Sequence, residues 1–184
     1  MPVSHQLQTC TQPTEAHVIY GAPAKVYVGI YFSSTSTAID TDVRWIGKTP
    51  TRLPEATLLM MPLSHCPSGD EWLVDKLGSW VAASDVVTDG GAAHLHAVGQ
   101  AGAKRSCGNK TLHVVNVDSA LISVGHASPF PTPLEPLSKA QASGPLAAVL
   151  HNNIWDVNYP MWYPFDKYTE VDADERFRFK TWWA

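Results

Sequence analysis

The chain has 184 residues, of which 45% are hydrophobic and 16% charged, and its formal net charge at pH 7 is −4. This length and apolar share suit one folded domain, and an acidic balance without a Lys or Arg cluster argues against binding of nucleic acid. No apolar run reaches the length of a membrane span, and the N-terminus lacks the basic start and apolar core of a signal peptide. We therefore predict a cytoplasmic protein without membrane association.

Residues 1–14 are polar and rich in Thr, Gln and Pro. Such a terminus predicts a flexible or loosely attached arm. From about His17 the pattern changes to short β-branched and aromatic runs, and no internal repeat is visible at a fixed period. We therefore predict a single domain over residues 15–184.

The first two predicted strands show clear alternation. Residues 25–32 are β-branched and aromatic, with Tyr27 and Tyr31 on the face opposite to Val26 and Val28, which predicts a strand. Residues 38–46 alternate between apolar and polar side chains, which predicts a half-solvated strand. The polar side of this second strand consists of Asp40, Asp42 and Arg44.

Short apolar or alternating runs continue to the C-terminus, and none indicates an amphipathic helix longer than two turns. They predict strands at 56–63, 71–77 with a continuation at 78–81 after a break, 92–98, 111–117, 120–124, 145–151 and 176–180. Residues 100–109 and the proline-rich 127–144 are predicted to be loops. Many short strands separated by turns predict an all-β fold, an antiparallel β-sandwich with few or no helices.

The three cysteines are Cys10, Cys66 and Cys107. They are far apart and odd in number, so they indicate neither a disulfide framework nor a metal knuckle. We expect free thiols in a reducing compartment, with a single pair as the alternative. Asn109 begins a formal N-glycosylation sequon, which is expected to be accidental without a secretory signal.

His94 and His96 are the first candidates for chemistry. Two residues apart on a strand, their imidazoles face the same side and could share a metal with a third ligand, for which the candidates are Glu55, His113 and His126. The alternative is a pair of hydrogen-bonded histidines beside a turn. We prefer this alternative and predict no metal site. No other cofactor is predicted, because the phosphate-binding and dinucleotide-binding fingerprints are absent.

The segment 151–163 is the densest in aromatic and amide side chains. Amides that donate and accept, next to flat apolar rings, suit sugar hydroxyls and stacked C–H faces. The alternative is a corner whose Asn side chains cap exposed backbone groups. The candidate ligand-binding residues are Asn152, Asn153, Trp155, Asn158, Trp162 and Tyr163.

Five segments in order resemble the C-terminal β-sandwich region of proteins related to the α-mannosidases of glycoside hydrolase family 38. The similarity is to an uncharacterised branch of fungal and bacterial relatives, covers roughly residues 20–182, and would make the sandwich supersandwich-like. The segments are TRLPEATLLMMPL (51–63), DVVTDGGAAHLHAV (85–98), VDSALISVGHASPFP (117–131), LHNNIWDVNYPMWY (150–163) and ERFRFK (175–180). The chain departs from that pattern in having Asp156 where the relatives usually have Gly.

In such relatives the glycosidase chemistry belongs to an N-terminal domain that holds a divalent metal with Asp and His and uses an Asp nucleophile. No part of this chain maps to that domain. The resemblance therefore implies an accessory, carbohydrate-associated domain that packs against a catalytic domain and lends edge residues to its cleft.

Two other readings stay open. The chain could be a small stand-alone enzyme, an isomerase, cyclase or lyase of a biosynthetic pathway, acting on a small hydrophobic substrate. Its candidate acid/base residues are Glu55, His94, His96, His151, Asp156 and Tyr159. It could also be an interaction subunit that docks on a protein partner or a second copy through Trp182 and Trp183.

Overall fold

The computed structural model describes residues 4–49, 55–61, 70–87, 94–125, 137–153 and 175–184. These residues form strands β1 (Ser4–Thr11), β2 (Lys25–Phe32), β3 (Ile39–Ile46), β4 (Glu55–Met61), β5 (Leu73–Lys76), β6 (Ser79–Ala82), β7 (Leu95–Ala97), β8 (Ala103–Cys107), β9 (Lys110–Asn116), β10 (Leu121–Val124), β11 (Leu146–Asn153) and β12 (Glu175–Trp183). Two short helices are present, α1 (Thr14–Tyr20) and α2 (Lys139–Ala142). None of the described helices is long and apolar enough to cross a membrane.

The strands form two sheets, and each described pairing is antiparallel. The larger sheet has the order β1-β2-β3-β12-β9-β8-β5-β6, and the smaller has the order β4-β11-β10-β7. The last strand of the chain therefore lies in the middle of the larger sheet, between β3 and β9. The prediction of an all-β, antiparallel fold with few helices is confirmed.

Two hydrophobic clusters form the core, and each combines residues of both sheets. In the first cluster, Trp72, which directly precedes β5, and Val114 of the larger sheet pack with Ile122 and Leu146 of the smaller sheet. The second contains residues of β3 and β12 together with Ala148 of β11. The apolar side chains of β3, β9 and β12 therefore point to the core, and the side chains that alternate with them point to the opposite face of the sheet.

The predicted arm is the first difference from the sequence analysis. Ser4–Thr11 is not a loose segment but a strand, and each of its residues pairs with a residue of β2. Gln6–Thr11 is exposed, so β1 buries too little apolar surface to show the hydrophobic alternation that identifies a strand.

The predicted loop at 100–109 is the second difference. Ala103–Cys107 forms strand β8, which pairs with β9. Gly102 directly precedes β8, and Gly108 and Asn109 form the two-residue turn between β8 and β9. The prediction of free thiols is wrong for Cys107, which is disulfide-bonded. Cys10 is free and exposed, and Cys66 lies outside the described residues.

The predicted break after residue 77 is a tight hairpin turn. β5 and β6 pair directly, with Lys76 opposite Ser79, and the two residues between them are Leu77 and Gly78. Both have positive φ, 55° and 88°, as the two-residue turns that fit the twist of a hairpin require. The single predicted strand with a break is therefore two antiparallel strands.

Candidate functional site

His94 and His96 are both buried, and His94 directly precedes β7, which contains His96. His96 is paired with Ile122 in the smaller sheet, and the two histidines are only 7% and 4% exposed. Burial, with smaller contributions from Lys76 and His94, lowers the pKa of His96 to about 4. His96 is therefore neutral at pH 7, and its Nε2 atom is buried without a hydrogen bond to any described group.

No three His, Cys, Asp or Glu residues in the described ranges gather closely enough to hold a metal ion. Neither His94 nor His96 lines any of the three grooves described below. An acid/base role for either residue stays a prediction. None of these three grooves would bring a substrate into contact with either histidine.

His151 lies near one end of the smaller sheet, beside an irregularity in the pairing of β11 with β4 between Val149 and His151. Its ring is half-buried and meets Trp45 edge-on, with ring centroids 6.4 Å apart and an interplanar angle of 89°. This contact joins His151 to the second core cluster. His151 therefore packs between the two sheets.

The backbones of Glu55, Asn152 and Asn153 lie close together at the same end of the smaller sheet as His151. Asn153 is opposite Glu55, and Asn152 is opposite Ala56, in the pairing of β11 with β4. The other predicted site residues lie outside the described residues: Trp155, Asp156, Asn158, Tyr159, Trp162 and Tyr163. The structure thus brings three of the predicted residues to one place, and it leaves their proposed roles as predictions.

A groove that the sequence analysis did not predict runs over the outer face of the larger sheet. Its first part, of about 600 Å³, lies over β2, β3 and β12, and its second part, of about 360 Å³, extends over β12 to β9. The two parts share Tyr31, Asp42 and Arg176 and are therefore continuous. We call the whole feature the sheet groove. The residues that line it include Leu7, Tyr27, Gly29, Tyr31, Asp42, Arg44, Glu175, Arg176, Arg178, Lys180 and Trp182.

Asp42 lies at the floor of the sheet groove, with a side chain that is 7% exposed. Arg44 donates from Nη2 at 2.9 Å and from Nε at 3.3 Å. Arg176, on the neighbouring strand, donates from Nη2 at 2.7 Å and from Nε at 3.0 and 3.1 Å to the two carboxylate oxygens. Two guanidinium groups thus hold one carboxylate in place, which fixes all three side chains against the sheet.

The electrostatics of this ion cluster keep Asp42 ionised. Burial alone would raise the pKa of Asp42, but the hydrogen bonds from Arg44 and Arg176, together with their positive charge, outweigh burial and lower it. A carboxyl group with a lowered pKa is ionised at neutral pH and is therefore a poor general acid there. The arrangement therefore suits binding better than proton transfer.

The side chain of Tyr31 reaches back along its own strand over Gly29, beside the ion cluster. A Cβ atom placed on Gly29 would meet Cε2 and Oη of Tyr31 at 2.9 Å, so the ring crosses the space that a side chain at position 29 would occupy. Gly29 is opposite Asp42 in the pairing of β2 with β3, and Tyr27 is opposite Arg44. The absence of a side chain at Gly29 thus leaves room for the Tyr31 ring next to the Asp42 carboxylate.

The second part of the groove is lined by further ion pairs and a ring stack. Arg178 donates to Asp118 from Nε, Nη2 and its backbone N–H at 2.7–2.8 Å, and Lys180 lies 3.5 Å from Asp40. Trp182 stacks on His113, with centroids 4.8 Å apart and rings inclined by 3°. Trp182 therefore forms part of the groove wall, and docking of a partner on Trp182 or on the exposed Trp183 stays a prediction.

A third groove, of about 460 Å³, lies at the far end of the larger sheet. It is lined by Asp70, Glu71, Leu73, Lys104, Ser106, Lys139 and Ser143. Among these described lining residues there is no aromatic ring and no buried charged group. The sheet groove is the stronger candidate, because it combines a buried carboxylate, fixed donors and flat rings.

Alternation along the individual strands is the signal that could have located the sheet groove. It places Tyr27 and Tyr31 on one face of β2, Asp42 and Arg44 on one face of β3, and the arginines on one face of β12. The sequence does not show that β3 pairs with β12. That pairing brings together Asp42 and Arg176, which are 134 positions apart in the chain.

Comparisons with known proteins add no relative to this description. A scan against protein-family models, a search of curated proteins and a search of solved structures each found no match. The likeness to the C-terminal region of α-mannosidase relatives therefore stays a prediction from the sequence.

Proposed function

We propose that this chain is an accessory β domain that binds a neutral carbohydrate in the sheet groove. The observation that supports the proposal is the Asp42–Arg44–Arg176 cluster on the groove floor, flanked by Tyr31 and Tyr27. The resemblance to glycosidase-associated sandwiches points to the same class of ligand. The site differs from the one expected at residues 151–163.

Sugar hydroxyls both donate and accept hydrogen bonds, and the groove floor offers both kinds of partner. The half-exposed guanidinium groups of Arg44 and Arg176 donate, and the phenolic hydroxyl of Tyr27 in the groove lining can accept. Asp42 already holds the two arginines in place, so a ligand would not have to order them on binding. Preorganised polar groups of this kind fix the orientation of a ligand.

The rings supply the apolar part of such a site. One face of a pyranose carries C–H groups that pack on an aromatic ring, and the ring of Tyr31 lines both parts of the groove. Tyr27 on the same strand face and Trp182 in the second part of the groove extend the aromatic lining. A long open groove with several rings suits an oligosaccharide better than a compact substrate.

The charges of the lining favour a neutral ligand. In the first part of the groove, Asp42 and Glu175 balance Arg44 and Arg176. In the second part, Asp40 lies beside Lys180, and Arg178 forms an ion pair with Asp118. A surface with balanced charge gives little attraction to a polyanion.

Isothermal titration calorimetry with a panel of neutral oligosaccharides, including mannose, glucose and xylose oligomers, tests the proposal. We expect at least one to bind, and we expect Tyr31→Ala to raise Kd about tenfold through loss of ring stacking. Gly29→Ala, which displaces the same ring, should weaken binding similarly. Tyr20→Ala is the matched control, because Tyr20 is an exposed tyrosine of α1 outside the groove lining.

Two outcomes would overturn this assignment. In one, none of the oligosaccharides binds the parent protein. In the other, Tyr31→Ala binds as tightly as Tyr20→Ala does, although both variants unfold at the parent's denaturant midpoint. The second outcome would place carbohydrate binding, if it is observed, outside the sheet groove.

A further inference from the structure

β1 is an edge strand whose outer side is open. It is the first strand in the order of the larger sheet, and Gln6–Thr11 is exposed along its whole length. The strand has the sequence SHQLQTCT, without Lys, Arg, Asp, Glu or Pro, and it pairs with β2 without a bulge. Edge strands that stay unpaired usually carry charges, prolines or bulges, or are very short.

The opposite edge of the same sheet is protected in that way. β6 has only four residues, Ser79–Ala82. Trp80 of this strand lies under the ammonium group of Lys104, 4.2 Å from the ring centroid, which places a charge beside the edge. The contrast identifies β1 as the edge of the larger sheet that is open to another strand.

The hydrogen bonds of β1 show which of its amides point outward. Gln12 donates to the carbonyl of Ala24, directly after the paired residues Thr11 and Lys25. In an antiparallel pair, residues alternate between those that bond to the neighbour and those whose N–H and C=O point away. Gln8 therefore bonds to β2, whereas the backbone groups of Leu7 and Thr9 point to the open edge.

We propose that two copies of this chain associate by antiparallel pairing of β1 with β1 of a second copy, which joins the two larger sheets into one. Identical antiparallel strands are related by a two-fold axis perpendicular to the sheet, so the same backbone groups are used by both copies. Because β1 carries no charged side chain, its self-pairing places no like charges opposite each other.

This symmetry has a consequence for the sheet groove. A two-fold axis perpendicular to the sheet leaves the outer faces of both copies on the same side. Asp42 lies on the third strand from the axis, so the two carboxylates would be about 24 Å apart across the strands, at about 4.8 Å per strand. A long ligand could then engage both grooves, which would raise its apparent affinity. This consequence rests on the proposed carbohydrate binding, whereas the strand pairing does not.

Sedimentation equilibrium between micromolar and millimolar concentrations tests the pairing. All proteins carry Cys10→Ser, so that the exposed thiol cannot form a covalent dimer. Thr9→Pro removes an outward N–H from each copy without removing a bond to β2, and it should raise the dimer Kd about thirtyfold. Thr9→Val is the matched control, because it keeps the N–H and the side-chain volume, and it should dimerise like the parent.

Hydrogen exchange provides a second measurement on the unmodified strand. The amides of Leu7 and Thr9 should become protected as the concentration rises, whereas the Gln8 amide should be protected throughout. A monomer at millimolar concentration, or a dimer that Thr9→Pro leaves unchanged, would refute the pairing. Oligosaccharide titration of the Thr9→Pro monomer separates the two proposals, since the groove of a single copy should still bind if the proposed function holds.

Discussion

Replacing Asp42 with asparagine removes the one carboxylate that two guanidinium groups share on the groove floor. Each guanidinium makes charge-assisted bonds to it, at 2.7–3.3 Å. Such bonds contribute about 1.5–3 kcal/mol each when they are shielded. The arginine side chains are 52% and 53% exposed, so solvent screening reduces the combined contribution of the shared carboxylate to about 2 kcal/mol. We expect Asp42→Asn to lower the free energy of unfolding by about 2 kcal/mol at pH 7.

The pH dependence of this loss has a definite sign. Because the folded-state pKa of Asp42 is lowered, its ionisation stabilises the fold above the unfolded-state value of about 3.9. That contribution disappears as the pH falls through the folded-state pKa. The difference in stability between the parent and Asp42→Asn should therefore shrink in acid, below about pH 4.

Urea unfolding of the parent, Asp42→Asn and Asp40→Asn at pH 7 and in acid is the assay. Asp40 lies on the same strand face, but its side chain is 56% exposed and its partner Lys180 is 3.5 Å away, so Asp40→Asn should cost less than about 0.5 kcal/mol. Equal losses for both variants at pH 7, or a difference for Asp42→Asn that grows in acid, would refute the reasoning.

Two further predictions concern buried positions. His96, with a pKa of about 4, should show no imidazole titration by NMR between pH 8 and 5; because its folded pKa is depressed, it should cost the fold about 3 kcal/mol as the pH falls from about 6.5 to 4. A midpoint near 6.5 in the folded protein would contradict this. Gly102 has a φ of +69°, and a Cβ there would collide with the carbonyl oxygen of Val114, so Gly102→Ala should destabilise by about 2 kcal/mol or more in urea. Gly78→Ala, at a φ of +88° with open space around it, should cost less; an equal loss would mean that the collision is relieved.

The strands that could be predicted from sequence are those that bury one face. β2 was predicted with the bounds that the structure shows, because its β-branched residues alternate with tyrosines. β3 was predicted to within one residue, at 38–46, whereas the prediction of 176–180 covers five of the nine residues of β12. The polar side of β3 was also predicted, but as solvated, and Asp42 on that side is buried. β1 was missed because an edge strand with both sides exposed has no apolar face for a pattern to reveal.

The candidate site could not be predicted because it depends on which strands are neighbours. Arg176 reaches Asp42 only because β12 inserts between β3 and β9, and alternation within a strand carries no information about its partner. The same limit applies to His94 and His96. Their spacing predicts that they share a face, but only the packing of the two sheets shows that both residues are buried.

Backbone amide NMR during an oligosaccharide titration locates the saccharide site residue by residue. If the sheet groove is that site, we expect shifts at Tyr27, Tyr31, Asp42, Arg44 and Arg176 that saturate together, with the amides of β7 unchanged. Shifts confined to His151–Asn153 and its surroundings would contradict it and return the binding site to the segment first predicted from sequence. No shift with any oligosaccharide of the panel would refute carbohydrate binding by this domain.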